Sequence, residues 1–179
     1  MGVVRRALAV TFSSLIISCA AHAASFNYAG ATAPLTFDPH ATNDFVTASI
    51  VREVYDTVVG LGPDMQLQPG IASEWKYIGN NQWRFILRGN ATFHDGTPVT
   101  AADVVFSIKR QAGSPLYSAM FGGITDAKAI DATTVEVTSK GPDPILPVKM
   151  TRLFVMSKAW SEAHGLSTVP NLGAQGSES

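Results

Sequence analysis

Hydrophobic spacing changes character several times along this chain, and each change marks an element. Val46, Ile50, Val54 and Val58 recur at steps of four, and Val51 and Tyr55 widen the stripe. That spacing predicts a one-sided helix. Asn43 or Asp44 stands where a side-chain oxygen can accept its first orphan N–H groups, and Gly60, Gly62 and Pro63 end it. Strict alternation follows: Trp83, Phe85 and Leu87 on one side, Arg84 and Arg88 on the other. With residues 74–78 this reads as a hairpin turning at Gly79-Asn80-Asn81, Trp75 and Tyr77 packing across from it.

Helical spacing returns at Ala101, Val104, Val105, Ile108 and Ala112. An Asp-Gly turn at Asp95-Gly96 precedes this helix, and Thr100 with Asp103 has the spacing of a capping box. Lys109 and Arg110 complement its dipole, and Gly113 is its stop. Residues 124–130 and 134–139 form a second predicted hairpin, with Val135 and Val137 inward and Glu136 outward. Residues 141–147 hold three prolines and room for one helical turn. Residues 153–156 read as a buried strand and 158–164 as a short helix. Near the start, residues 25–30 read as a strand with Phe26 and Tyr28 on one face, followed by a loop through Pro34 and Pro39. Residues 166–179 have no apolar period and are expected to be a disordered tail.

The first two dozen residues are a leader rather than fold. Arg5 and Arg6 precede an apolar run from Ala7 to Ala20, and Ala21-His22-Ala23 offers small residues at a secretory cleavage site. The run is shorter than the ~20 residues a membrane span needs. Residues 16–19, Ile-Ile-Ser-Cys, also resemble a bacterial lipobox that would carry lipid on Cys19, but the Ala-His-Ala site is the more conventional. The expected product is a periplasmic chain starting at Ala24. Losing both arginines takes the net charge from −1 to −3 and leaves no cysteine, so stability must come from packing. Only 15% of residues are charged, with no basic cluster, which excludes a nucleic-acid binder.

Catalytic chemistry finds no support in the motifs. His94-Asp95 invites a general-base reading, but neighbours on a tight turn point apart and no nucleophile motif accompanies them. His40, His94 and His164 are widely separated with no i, i+4 pairing, which argues against a metal site and leaves each as a surface or turn histidine. Asn90-Ala91-Thr92 matches a glycosylation sequon, a triplet common by chance. Trp75, Trp83, Phe85 and Phe93 read as core rather than as a ligand platform.

One extended block is specific. Residues 67–75 (Leu-Gln-Pro-Gly-Ile-Ala-Ser-Glu-Trp), 83–88 (Trp-Arg-Phe-Ile-Leu-Arg), 93–107 (from Phe-His-Asp-Gly-Thr-Pro to Val-Val-Phe-Ser) and Lys109-Arg110 occur in that order. Each is weak alone; their joint order and spacing resemble the N-terminal part of the solute-binding proteins of ABC importers, in the peptide/nickel-binding family (family 5). The resemblance runs from about residue 25 to residue 165. It implies an α/β fold, the first-lobe portion of a two-lobed periplasmic-binding-protein architecture, with a mixed sheet, hairpins and flanking helices. It implies three segments: leader 1–23, lobe portion 24–165 and truncated tail 166–179. The expected activity is capture of an oligopeptide or related small solute, without catalysis or cofactor, by a monomer that serves a permease and its ATPase subunits.

Members of that family are about three times longer and continue into a Gly-Thr-Gly-Pro segment that residues 166–179 do not contain. The chain is therefore expected to be a fragment or truncated product without the second lobe, the hinge strands and the acid that pairs with a ligand amine. A secreted hydrolase and a small interaction module are the rival readings. By position in the family, Ala31, Thr32 and Ala33 after the first strand, and Tyr117, Met120 and Phe121 after the capped helix, reach the ligand cleft. The second group supplies apolar surface without charge. The alternative for Tyr117 and Phe121 is that they close the lobe's own core.

Overall fold

The structure is a computed structural model that describes residues 33–170. The predicted leader, Cys19, the strand at 25–30, Ala31, Thr32 and the last nine residues lie outside the described residues.

Two antiparallel hairpins side by side form the central sheet. β3 (Ala72–Gly79) pairs with β4 (Gln82–Leu87), β4 with β6 (Thr134–Ser139), and β6 with β5 (Ile124–Ala129), in the order β3-β4-β6-β5. Asn80 and Asn81 both adopt positive φ, 51° and 59°, as a two-residue turn matched to strand twist demands. Alternation delivers Phe85, Leu87, Val135 and Val137 to the buried face, all at 3% exposure or less. Glu136 on the other face pairs with Arg84 at 2.5 Å. Trp83 is half-buried; its indole N–H donates to the Asp143 carbonyl at 3.0 Å, and its ring meets Tyr77 edge-on at 5.8 Å. Both outer strands are irregular, β3 with register shifts at each end and β5 with one between Ile124 and Asp126.

α2 (Ala101–Ala112) covers this face. Asp103 at its third position accepts from the Thr100 N–H at 2.9 Å and the Thr100 hydroxyl at 2.6 Å. Its other oxygen accepts from the Lys158 N–H at 2.9 Å, so one carboxylate starts both α2 and α5 (Lys158–Ala163). Ala101, Val104 and Ile108 are buried at 1% or less and share one cluster with Phe85 and Leu87. The helix lies chiefly over β5, with β6 beside it, and Phe85 and Leu87 of β4 share its cluster.

The largest departure is at the first predicted helix. α1 (Phe45–Val51) starts as expected, with the Asp44 carboxylate accepting from Val46 and Thr47 N–H groups at 3.0 Å each. It stops at Val51, well before Val58. Val54 is left 39% exposed, and Val58, at a bend, and Val59, the first residue of a strand, are fully buried. β1 (Val59–Leu61) and β2 (Leu67–Pro69) form a small hairpin, so Gly60 lies within a strand rather than at a helix end. The Val58 N–H donates to the Leu153 carbonyl at 3.1 Å and its carbonyl accepts from Ala72 at 2.8 Å. Extended backbone paired with residues far along the chain outweighs the weak helical preference of β-branched valines. Leu153, Phe154, Val155 and Met156 are all buried, as predicted, although they pair only through the Thr57–Phe154 bridge. α3 (Ser118–Phe121) and α4 (Leu146–Lys149) are single turns, α4 continuing as a 3-10 turn to Arg152.

Candidate functional site

The segment after α2 packs, through buried contacts, on the loop that precedes α1. The Tyr117 hydroxyl donates to the Thr42 carbonyl at 2.8 Å, and the Ser114 hydroxyl donates to the His40 carbonyl at 3.3 Å. Tyr117 is 7% exposed and Phe121 fully buried, their rings edge-on at 6.4 Å within the main core cluster. Burial raises the Tyr117 phenol above its ordinary pKa. Of the two readings of these rings, the second holds: they close the lobe's core, because a phenol with a backbone acceptor can be buried at little cost. Met120 is half-buried against that core, and Ala33 is exposed. Exposed apolar surface sits on other residues instead: Leu116 at 49%, Leu35 at 71%, Phe37 at 60% and Phe45 at 88%. The Leu35 N–H donates to the Thr47 hydroxyl at 3.0 Å, which lays this stretch along α1.

His40 corrects the expectation of a surface histidine: it is fully buried. Its Nε2 lies 3.0 Å from the Phe154 carbonyl, so Nε2 carries the proton, and Nδ1 has no partner among the described residues. Desolvation first, and the neighbouring Arg110 guanidinium second, push its pKa down from 6.5 to about 4. Beside it Asp38 and Arg110 form a buried bidentate pair, Nη1 to Oδ1 at 2.8 Å and Nη2 to Oδ2 at 2.5 Å. Nothing in the local sequence marks this cluster, since Arg110 lies about 70 residues from Asp38 and His40 and its place in the Lys109-Arg110 pair does not announce a carboxylate partner.

A cleft of about 580 Å³ opens on another side, lined by Arg52, Glu53, Ile71, Phe93, His94 and Trp160 among others. His94 and Asp95 lie on its rim, both exposed. Asp95 accepts from the Thr97 N–H at 2.9 Å and hydroxyl at 2.7 Å, which hold its carboxyl below the usual range. No hydrogen bond joins it to His94, so the pair has no general-base geometry. His164 is exposed and stacks on Trp160 at 4.2 Å. Among the described residues no group of three or more His, Cys, Asp or Glu is placed to hold a metal ion.

Residues 66–172 match the family model described as bacterial extracellular solute-binding proteins, family 5 middle. The chain belongs to this family. Among curated relatives, the periplasmic murein peptide-binding protein MppA of Escherichia coli is 34% identical over 102 residues, covering 54% of this chain and 19% of that protein. The periplasmic oligopeptide-binding protein OppA of the same organism is 33% identical over 129 residues, covering 61% and 24%. The solved structure of the E. coli murein tripeptide binding protein MppA superposes with a TM-score of 0.66 at 27% identity, over 73% of this chain and 30% of that one. The chain thus spans between a fifth and a quarter of the length of these curated relatives. They are named as binding proteins, not enzymes. The α/β fold is that of part of a solute-binding lobe, and the block that identifies the family is the hairpin, turn and capped helix that build its core.

Proposed function

We propose that the chain is a portion of the solute-binding component of an ABC importer, exported to the periplasm, where it takes part in capturing peptides or a related small solute. The observation that carries this reading is the family match over residues 66–172, joined to the superposition on a murein tripeptide binding protein. The leader pattern ending at Ala23 and the periplasmic location of the relatives support export. In such a binder the pocket encloses the solute between lobes and a few fixed polar groups orient it; closure is a population shift set by ligand affinity. The permease and its ATPase subunits would read the closed form. On this reading Ala31, Thr32, Ala33 and Met120 face the solute, and Tyr117 and Phe121 hold that wall from within.

A titration of the isotope-labelled chain with tri-alanine, followed by amide chemical shifts, tests the assignment. Movement at Ala33 and Met120 is expected. Shifts confined to the cleft at Phe93 and Trp160, or none at all, would refute this choice of residues.

A further inference from the structure

Arg110 binds more than its carboxylate partner. Besides the fork on Asp38, its Nε donates to the Leu166 carbonyl at 2.7 Å and its Nη2 to the Thr168 carbonyl at 3.1 Å. The side chain is completely buried and that of Asp38 nearly so. Asp38 belongs to the segment that leads into the unit ahead of α1. Leu166 and Thr168 belong to the segment that leads out after α5, which the sequence assigned to a tail. One guanidinium on the last turn of α2 therefore holds both.

Each segment is shaped to reach it. On the incoming side the Asp38 Oδ1 also accepts from the His40 N–H at 3.0 Å, and its carbonyl accepts from Ala41 at 3.3 Å, a compact turn that aims the carboxylate inward. On the outgoing side Gly165 takes a φ of +70° after α5. The Leu166 N–H then donates to the Ser161 carbonyl at 2.8 Å and the Gly165 N–H to Glu162 at 3.3 Å. That is the paired bonding of a Schellman cap, which reverses the chain and returns its carbonyls toward α2.

We propose that Arg110 is a positioning residue that staples the incoming and outgoing segments to each other, so that loosening either one loosens the other while the sheet stays closed. The proposal rests on the reading of the chain as part of a larger solute-binding protein. There, these two segments are where the unit joins the rest, and the staple makes both connections follow α2 as one body. The chemistry requires arginine. A guanidinium presents a rigid fork for a carboxylate and a third edge for a carbonyl at once, whereas an ammonium is a single point that cannot span both.

Amide hydrogen exchange on the full chain tests this without any ligand, so its outcome is independent of solute capture. The reporters are His40 and Ala41 on the incoming side, Leu166 on the outgoing side, and the β4 and β6 amides as reference. Arg110→Lys keeps the charge and is expected to speed exchange at least tenfold at both ends, with the reference amides unchanged. Should that variant not fold, Asp38→Asn gives the same reading: it alters only the incoming side, yet exchange at Leu166 should rise severalfold. Exchange that rises at the altered end alone, uniformly through the sheet, or nowhere would overturn the proposal.

Discussion

Acid should destabilise this protein through His40 in a window where few other groups titrate. The imidazole is fully buried, donates to Phe154 and faces Arg110, and its pKa falls from 6.5 to about 4 on folding. The unfolded chain therefore binds a proton between those values that the folded chain refuses. The sign follows: stability is complete above pH 6.5 and falls as pH drops toward 4, by at most about 3 kcal/mol for a shift of this size. Asp38, Arg110 and Tyr55 are the other ionisable groups about the site, and Tyr55 does not titrate in this range. The carboxylates held low by hydrogen bonds, Asp44, Asp95, Asp126 and Asp131, act in the same direction but only below about pH 4. Urea midpoints from tryptophan fluorescence at half-unit steps between pH 7 and 4.5 would measure the slope. His40→Gln places an amide N–H near the position of Nε2 and has no proton to gain, so its midpoint should be nearly flat over the same range. If wild type and His40→Gln lose stability in parallel, His40 is not the group responsible and the buried neutral imidazole is wrong.

Three further outcomes are expected. Phe85→Ala should cost about 3–5 kcal/mol and Val104→Ala about 1–3, both measured by denaturant unfolding, since each empties space in one shared core; Trp83→Ala should cost less than Phe85→Ala because Trp83 is only partly buried. Asp103→Ala removes acceptors from two helix starts and should lower stability by about 1–3 kcal/mol, with raised exchange at Lys158 as its signature. Export should yield an intact mass beginning at Ala24, whereas a diacylated species beginning at Cys19 would establish lipid anchoring instead.

What could be read from the sequence was local. The Asn80-Asn81 turn, the Thr100–Asp103 capping box and both alternating hairpins are specified within a few residues, and each formed where expected. The end of α1 could not be read this way, because Val58 is claimed by Leu153 and Ala72, and Val59 by Pro69, rather than by a helical turn. The polar cluster was hidden for the same reason. His40 meets Phe154 across 114 positions, and Arg110 meets Asp38 across 72 and Leu166 across 56. An arginine at the end of an amphipathic helix looks like a dipole partner in solvent until those distant acceptors surround it. Tyr117 and Phe121 fall between: their apolar character was plain, but which side of the wall they serve is set by Thr42 and the sheet behind them.

The irregular margins of the sheet bear on how this protein meets others. A straight outer strand with a free ladder of N–H and C=O groups invites another strand to add to it. Here β3 is kinked at both ends and carries Glu74 and Lys76 outward, and β5 is kinked near its start and carries Asp126 and Lys128 as an ion pair at 3.0 Å. Bends interrupt the register an incoming strand would need, and fixed charges would have to lose water to accept it. Self-association at high concentration should therefore proceed through the greasy side chains at Leu35, Phe37 and Phe45, giving detergent-sensitive clusters rather than ordered fibres.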